Sequence, residues 1–187
     1  MNRHSRSIVL VGMMGAGKSS VGVCLRRRTR LKLFDTDEIV TSKFGMPISK
    51  IFSEYGENKF REAETEALQT LATSEPVVIV TGGGIVLREE NIHLLKRLGV
   101  VVCLEADEKT LFKRASRAGK RPLLEGKNPE KTFTNMLRAR RPLYAKIADI
   151  RVDTSVLTDE EVAVAILSKV SRYYRKSVPA ATTPAIA

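Results

Sequence analysis

The chain has no tryptophan, only two histidines and two cysteines among its 187 residues, and no apolar stretch near the roughly 20 residues that a membrane-spanning helix needs. A membrane protein is therefore not expected. The short apolar run from Ile8 leads directly into a glycine-rich loop, so a cleaved export signal is not expected either, and the cytoplasm is the expected location. Cys24 and Cys103 lie in apolar segments without metal-ligand spacing, which predicts buried reduced thiols and no zinc site. Aromatic residues are scarce too, with four tyrosines and six phenylalanines, and they do not interleave with basic residues as a base-stacking surface would require. The net charge of +11, with Arg26, Arg27, Arg28, Arg30 and Lys32 in one stretch, is read accordingly as a solvated helix face and an attraction for anionic substrates, not as a nucleic-acid surface.

What is present is more specific. Residues Gly12-Met13-Met14-Gly15-Ala16-Gly17-Lys18-Ser19 fit the phosphate-loop pattern G-x-x-x-x-G-K-[ST] and follow the apolar run Ile8–Val11, as a strand-loop-helix phosphate site requires. Glycines let the backbone N–H groups wrap a polyanion, Lys18 adds a full positive charge, and the Ser19 hydroxyl suits Mg²⁺. A nucleoside triphosphate is the expected ligand.

Short apolar runs at 7–11, 31–35, 77–80, 100–104 and 150–152 alternate with amphipathic segments, which predicts an α/β domain on a mostly parallel sheet of about five strands with its ligands at the carboxyl ends. One domain is expected over residues 1–176, with 177–187, rich in Pro, Ala and Thr, as a disordered tail. The segment 116–128 carries two glycines, a proline and four basic residues, and is expected to form a mobile lid that closes over a transferred phosphoryl group.

Further candidates fall at the ends of the predicted strands. In Asp35-Thr36-Asp37, an extended backbone would project both carboxylates to one face, one toward Mg²⁺ and the other toward a substrate hydroxyl; alternatively one of them caps the helix starting near Glu38. Arg61 and Glu64 sit three apart on a predicted helix and suit either a surface ion pair or a carboxylate that orients an anion-gripping guanidinium. Gly82-Gly83-Gly84 follows the third strand, where bare backbone N–H groups and unusual conformations suit ligand contact. Arg138, Arg140 and Arg141 lie on a helix that Asn128 and Pro129 should start and Pro142 should kink.

As an ordered set these motifs resemble the shikimate kinases. The resemblance runs from about Ile8 to Val170 through the phosphate loop, Asp-Thr-Asp at 35–37, Phe-Arg-x-x-Glu at 60–64, Gly-Gly-Gly at 82–84, Arg-Pro-Leu-Leu at 121–124 and Arg-x-Pro-Leu-Tyr at 140–144. It implies a phosphate-loop kinase fold, three layers α/β/α about a central five-stranded parallel sheet, with a mobile lid and a helical substrate-binding region. It also implies transfer of the γ-phosphoryl group of ATP to the 3-hydroxyl of shikimate, with Mg²⁺ as the metal and a monomer as the working unit, without nucleic-acid or membrane partners.

By the same resemblance Asp37, Arg61, Gly82, Gly83, Gly84 and Arg140 would hold shikimate, its carboxylate lying between the two arginines, with Glu64 buttressing Arg61. Lys18, Asp37 and Arg121 would be catalytic. ATP would be held by Gly12, Gly15, Ala16, Gly17, Lys18, Ser19 and Ser20, with Arg114 beside the adenine and Arg121 on the phosphates, while Ser19 and Asp35 would serve the metal. Another small-molecule kinase of this fold, for gluconate or a nucleoside monophosphate, and a noncatalytic binding protein are the rival readings.

Overall fold

The computed structural model describes residues 7–71, 75–117, 124 and 127–177. Its order is β1 (Ile8–Val11), α1 (Lys18–Thr29), β2 (Lys32–Asp35), α2 (Thr36–Phe44), α3 (Ile48–Thr70), β3 (Val77–Val80), α4 (Glu89–Leu98), β4 (Val100–Glu105), α5 (Glu108–Arg117), α6 (Pro129–Ile147), β5 (Ile150–Asp153) and α7 (Asp159–Ser177), with a 3-10 turn at Ile85–Leu87. The expected strands are all present, shifted by a residue at some ends. The elements run from Ile8 to Ser177, so Ser177, expected in the tail, closes α7, and Ser116 and Arg117, expected in the lid, close α5; the rest of the tail and most of the expected lid, Arg121 included, lie outside the described residues.

All pairings are parallel and the strand order is β2-β3-β1-β4-β5. Every residue of β1 and β3 is buried. Successive strand residues point to opposite faces, so such runs need cover on both sides of the sheet, the three-layer arrangement expected. Helix α1 packs with α7 and against β1, β2 and β3, while α4 and α6 pack on β4 and the turn at Ile85–Leu87. A second apolar cluster, Val40, Ile51, Phe60, Ala63 and Ala67, joins α2 to α3 in a small helical unit beside the sheet. No helix among the described residues is long and apolar enough to cross a membrane.

Cys24 and Cys103 are free and buried, as expected, and burial pushes the Cys103 thiol up to about 12, which leaves it protonated and inert. In the basic stretch Arg27 and Arg28 both pair with Glu160 of α7, so part of that charge ties α1 to α7 instead of facing solvent alone.

Candidate active site

The phosphate loop leaves β1 at Gly12, and its shape depends on glycine. Gly12, Gly15 and Gly17 have φ of +141°, +85° and +88°, and a Cβ on Gly12 or Gly15 would fall 2.4 Å from the Leu104 carbonyl oxygen or 2.2 Å from that of Leu111. Both the conformation and the close approach exclude a side chain. Gly17 then caps α1, whose first residue is Lys18. The Lys18 ammonium donates to the carbonyls of Gly12 (2.8 Å) and Met13 (3.2 Å), and so lies folded over the loop. A cleft of about 730 Å³ opens there, lined by Gly15, Gly17, Lys18, Ser19 and Ser20 of the loop and first helical turn, by Asp35 and Asp37, and by Gly82, Gly83 and Arg114. Every one of these is a residue that the sequence singles out. Gly12 and Ala16, also in the loop, are buried and do not line the cleft.

The Asp35-Thr36-Asp37 geometry differs from an extended strand. The strand stops at Asp35, which is the N-cap of α2: its Oδ1 accepts from the Asp37 N–H at 2.9 Å. Helix capping satisfies a backbone donor that an extended chain would not expose in this way. Both carboxylates nevertheless line the cleft, because the first helical turn brings Asp37 back beside Asp35. Asp35 Oδ2 lies 3.5 Å from the Ser19 hydroxyl, and burial, followed by the charge of Asp37, raises the Asp35 pKa. Thr36 faces inward, and its hydroxyl accepts from the Gly82 N–H at 3.1 Å, tying the end of β2 to the loop after β3.

In that loop the glycines serve a purpose other than unusual backbone angles. None of Gly82, Gly83 and Gly84 has a positive φ; space is what they provide. A Cβ on Gly82 would stand 2.6 Å from both Asp37 Oδ1 and Glu64 Oε1, and one on Gly84 would strike the Arg61 guanidinium. Three ionisable side chains thus close on one backbone segment.

Helix α3 supplies two of them. The helix begins at Ile48, earlier than the predicted stretch, and is interrupted at Gly56, whose φ of 79° and ψ of 169° are not helical. Arg61 and Glu64 are not a surface pair: Arg61 Nη1 donates to Glu64 Oε2 at 2.6 Å, with the Arg61 side chain 7% and the Glu64 side chain 0% exposed. Arg61 also donates through Nε and Nη2 to Glu57 Oε1, at 3.1 and 2.8 Å. Burial pushes the Glu64 carboxyl up to about 7, against the pull of Arg61 and Arg140 and with the repulsion of Asp37.

Helix α6 reaches the same loop. Asn128 caps it as expected, its side chain accepting from the Lys131 N–H, and the helix runs through Pro142. Arg140, 6% exposed, donates from Nη1 to the Gly83 carbonyl at 3.3 Å. The same carbonyl accepts the hydroxyl of the buried Tyr144, whose pKa burial raises, so that it stays a donor. Of the residues expected to hold the acceptor, Arg61, Gly84 and Arg140 do not line the main cleft.

Sequence reasoning assigned no contact to Glu57, Tyr144, Thr81, Leu157, Thr158 or Asp159. Glu57 stands four residues before Arg61, a helical spacing that could have flagged it. The last three come from the segment after β5, which carries no motif; Arg114 is fixed there by bonds to the Thr154 hydroxyl (3.1 Å) and carbonyl (2.9 Å).

A parallel α/β sheet with a phosphate loop at its central strand, two acids at the carboxyl end of β2 and a helical unit beside it defines a phosphate-loop kinase. The sequence model of the shikimate kinase family matches residues 14–171. A shikimate kinase of Thermodesulfovibrio yellowstonii is 44% identical over 167 residues, 89% of this chain and 96% of its own. Among solved structures, shikimate kinase from Acinetobacter baumannii in complex with shikimate has a TM-score of 0.86 at 34% identity, covering 91% of this chain and 95% of its own. The enzyme of Aquifex aeolicus gives 0.77 at 37% identity, with 88% and 96% covered. The chain belongs to the shikimate kinase family.

Proposed function

We propose that the protein transfers the γ-phosphoryl group of ATP to the 3-hydroxyl of shikimate, giving shikimate 3-phosphate and ADP, as a step of aromatic amino-acid biosynthesis. The observation that carries this reading is the pair of buried guanidinium groups on one loop, Arg61 against Gly84 and Arg140 on the Gly83 carbonyl, where Gly82 also meets Asp37 and Gly83 meets the phosphate loop. Buried guanidinium forks beside a phosphoryl donor suit an anionic acceptor, carboxylate or phosphate, and not a neutral sugar or a nucleoside. The relative solved in complex with shikimate agrees with that acceptor.

In this reading Asp37 accepts or orients the proton of the acceptor hydroxyl, and Arg61 and Arg140 grip the carboxylate. Lys18 leaves the loop carbonyls that hold it and follows the transferred phosphoryl group, where its charge stabilises the transition state most. Arg114 stands by the nucleotide base. Arg121, which lies outside the described residues, is assigned to the phosphates on the family pattern.

The residues at the mouth of the loop fit Mg²⁺. Ser19 Oγ and Asp35 Oδ2 are two hard oxygens 3.5 Å apart, and the like charges of Asp35 and Asp37 are a strain that a dication relieves. Among the described residues there is no group of three or more His, Cys, Asp and Glu that could hold a metal, so Ser19 and Asp35 would share the ion with phosphate oxygens and water. Bound there, Mg²⁺ supplies neutralisation of phosphate charge.

A coupled ADP-release assay with ATP and a panel of shikimate, gluconate and nucleoside monophosphates tests the function. Turnover with shikimate alone is the expected result. Turnover with another acceptor, or none at all with shikimate, contradicts it.

A further inference from the structure

A guanidinium has five N–H donors, and on Arg61 three of its donor positions are already engaged by carboxylates of its own helix. The inner partner, Glu64, is fully buried and fixed. The outer partner differs: the Glu57 side chain is 49% exposed, and one of its oxygens takes both Nε and Nη2, the side-on fork that Arg uses for carboxylates. Glu57 is also the first residue past the break at Gly56, where the backbone leaves helical angles and a Cβ would meet nothing within 4 Å. The helix is thus not continuous on its N-terminal side, and the half-exposed Glu57 side chain has solvent beside it.

We propose that Glu57 is an internal stand-in for the acceptor's carboxylate: it holds the Nε/Nη2 fork of Arg61 until an anionic acceptor displaces it. The proposal rests on the assignment of Arg61 to the acceptor carboxylate. A nearly buried guanidinium needs charge compensation at all times, and Glu64, whose own ionisation burial opposes, supplies only part. Glu57 supplies the rest before binding. Two carboxylates on one fork would repel, so the incoming anion and Glu57 exchange in place of adding. An uncharged acceptor cannot displace Glu57 and gains no contact with the fork, whereas an acid gains it at the cost of the exchange. Glu57 in this role sets the affinity for the acidic acceptor; it does not act on the reacting atoms.

The test is the dissociation constant of shikimate for Glu57→Gln and Glu57→Ala, measured by calorimetric titration without nucleotide. Removing a competitor tightens binding; because Glu57 is half exposed, the expected gain is modest, about two- to fivefold. ATP affinity should not change. Glu54→Gln, which removes a charge from the same helix without touching Arg61, is the control and should bind shikimate as the wild type does. Unchanged or weaker shikimate binding in the Glu57 variants makes Glu57 a support of Arg61 and overturns the proposal, as does equal tightening in Glu54→Gln, which would show charge removal at a distance. Arg61→Ala separates the two layers of the argument. If it binds shikimate normally, the assignment of Arg61 has failed; if it weakens binding while the Glu57 variants do not tighten it, only the stand-in has.

Discussion

The Arg61 guanidinium lies so close over Gly84 that a Cβ there would stand 2.1 Å from Nη1, 2.4 Å from Cζ and 2.5 Å from Nη2. Arg61 cannot swing aside freely, since Glu64 and Glu57 hold it from two directions. Gly84→Ala should therefore push the guanidinium out of place without straining the backbone, whose φ of −99° suits any residue. Shikimate affinity should fall by about tenfold or more, the loss expected when a charge-assisted contact is misaligned, with ATP affinity near wild type. Equal binding of shikimate by the variant would show that the position of Arg61 over Gly84 is not needed.

Asp37→Asn keeps the shape at the cleft but removes the charge beside the acceptor hydroxyl. Turnover should drop by about a hundredfold or more while ATP binding, measured without shikimate, stays close to wild type. Parallel loss of nucleotide binding would move Asp37 to the metal side of the site.

Glu64 gives a pH dependence of stability with a definite sign. Its pKa rises from about 4.5 to about 7 on folding, so the folded state binds the proton more tightly, and the stabilisation is fully present below about pH 4.5 and lost as pH rises to about 7. Glu64→Gln cannot titrate and lacks this slope. The melting temperature of the wild type relative to Glu64→Gln should therefore decline between pH 4.5 and 7 and then level off. A difference that grows with pH across that window would mean that Arg61 and Arg140 outweigh burial.

The parts of this site that were legible in the sequence are those where one residue type is chemically required. The phosphate-loop glycines need positive φ, and the lysine and serine after them have few substitutes, so the pattern alone placed them. The strands read well because β1 and β3 are apolar at every position. What the sequence did not resolve were choices set by the third dimension. Arg61 and Glu64 have the same spacing whether they face water or the interior, and only the glycine loop packed over them decides for the interior. Asp35 could extend the strand or cap a helix, and the local sequence suits both; the tie between Thr36 and Gly82 accompanies the cap. Glu57 and Tyr144 are ordinary helix residues until the partners they reach, the Arg61 guanidinium and the Gly83 carbonyl, are known.

The central claim is that two buried guanidinium groups hold the acceptor's carboxylate, and the most direct measurement is titration of shikimate, and separately of ATP, into Arg140→Ala and Arg61→Ala. Each loses an arm worth roughly 1.5–3 kcal/mol, so the dissociation constant for shikimate should rise about ten- to a hundredfold with that for ATP little changed. If both variants bind shikimate as tightly as the wild type, the carboxylate is held elsewhere and the account of this site is wrong.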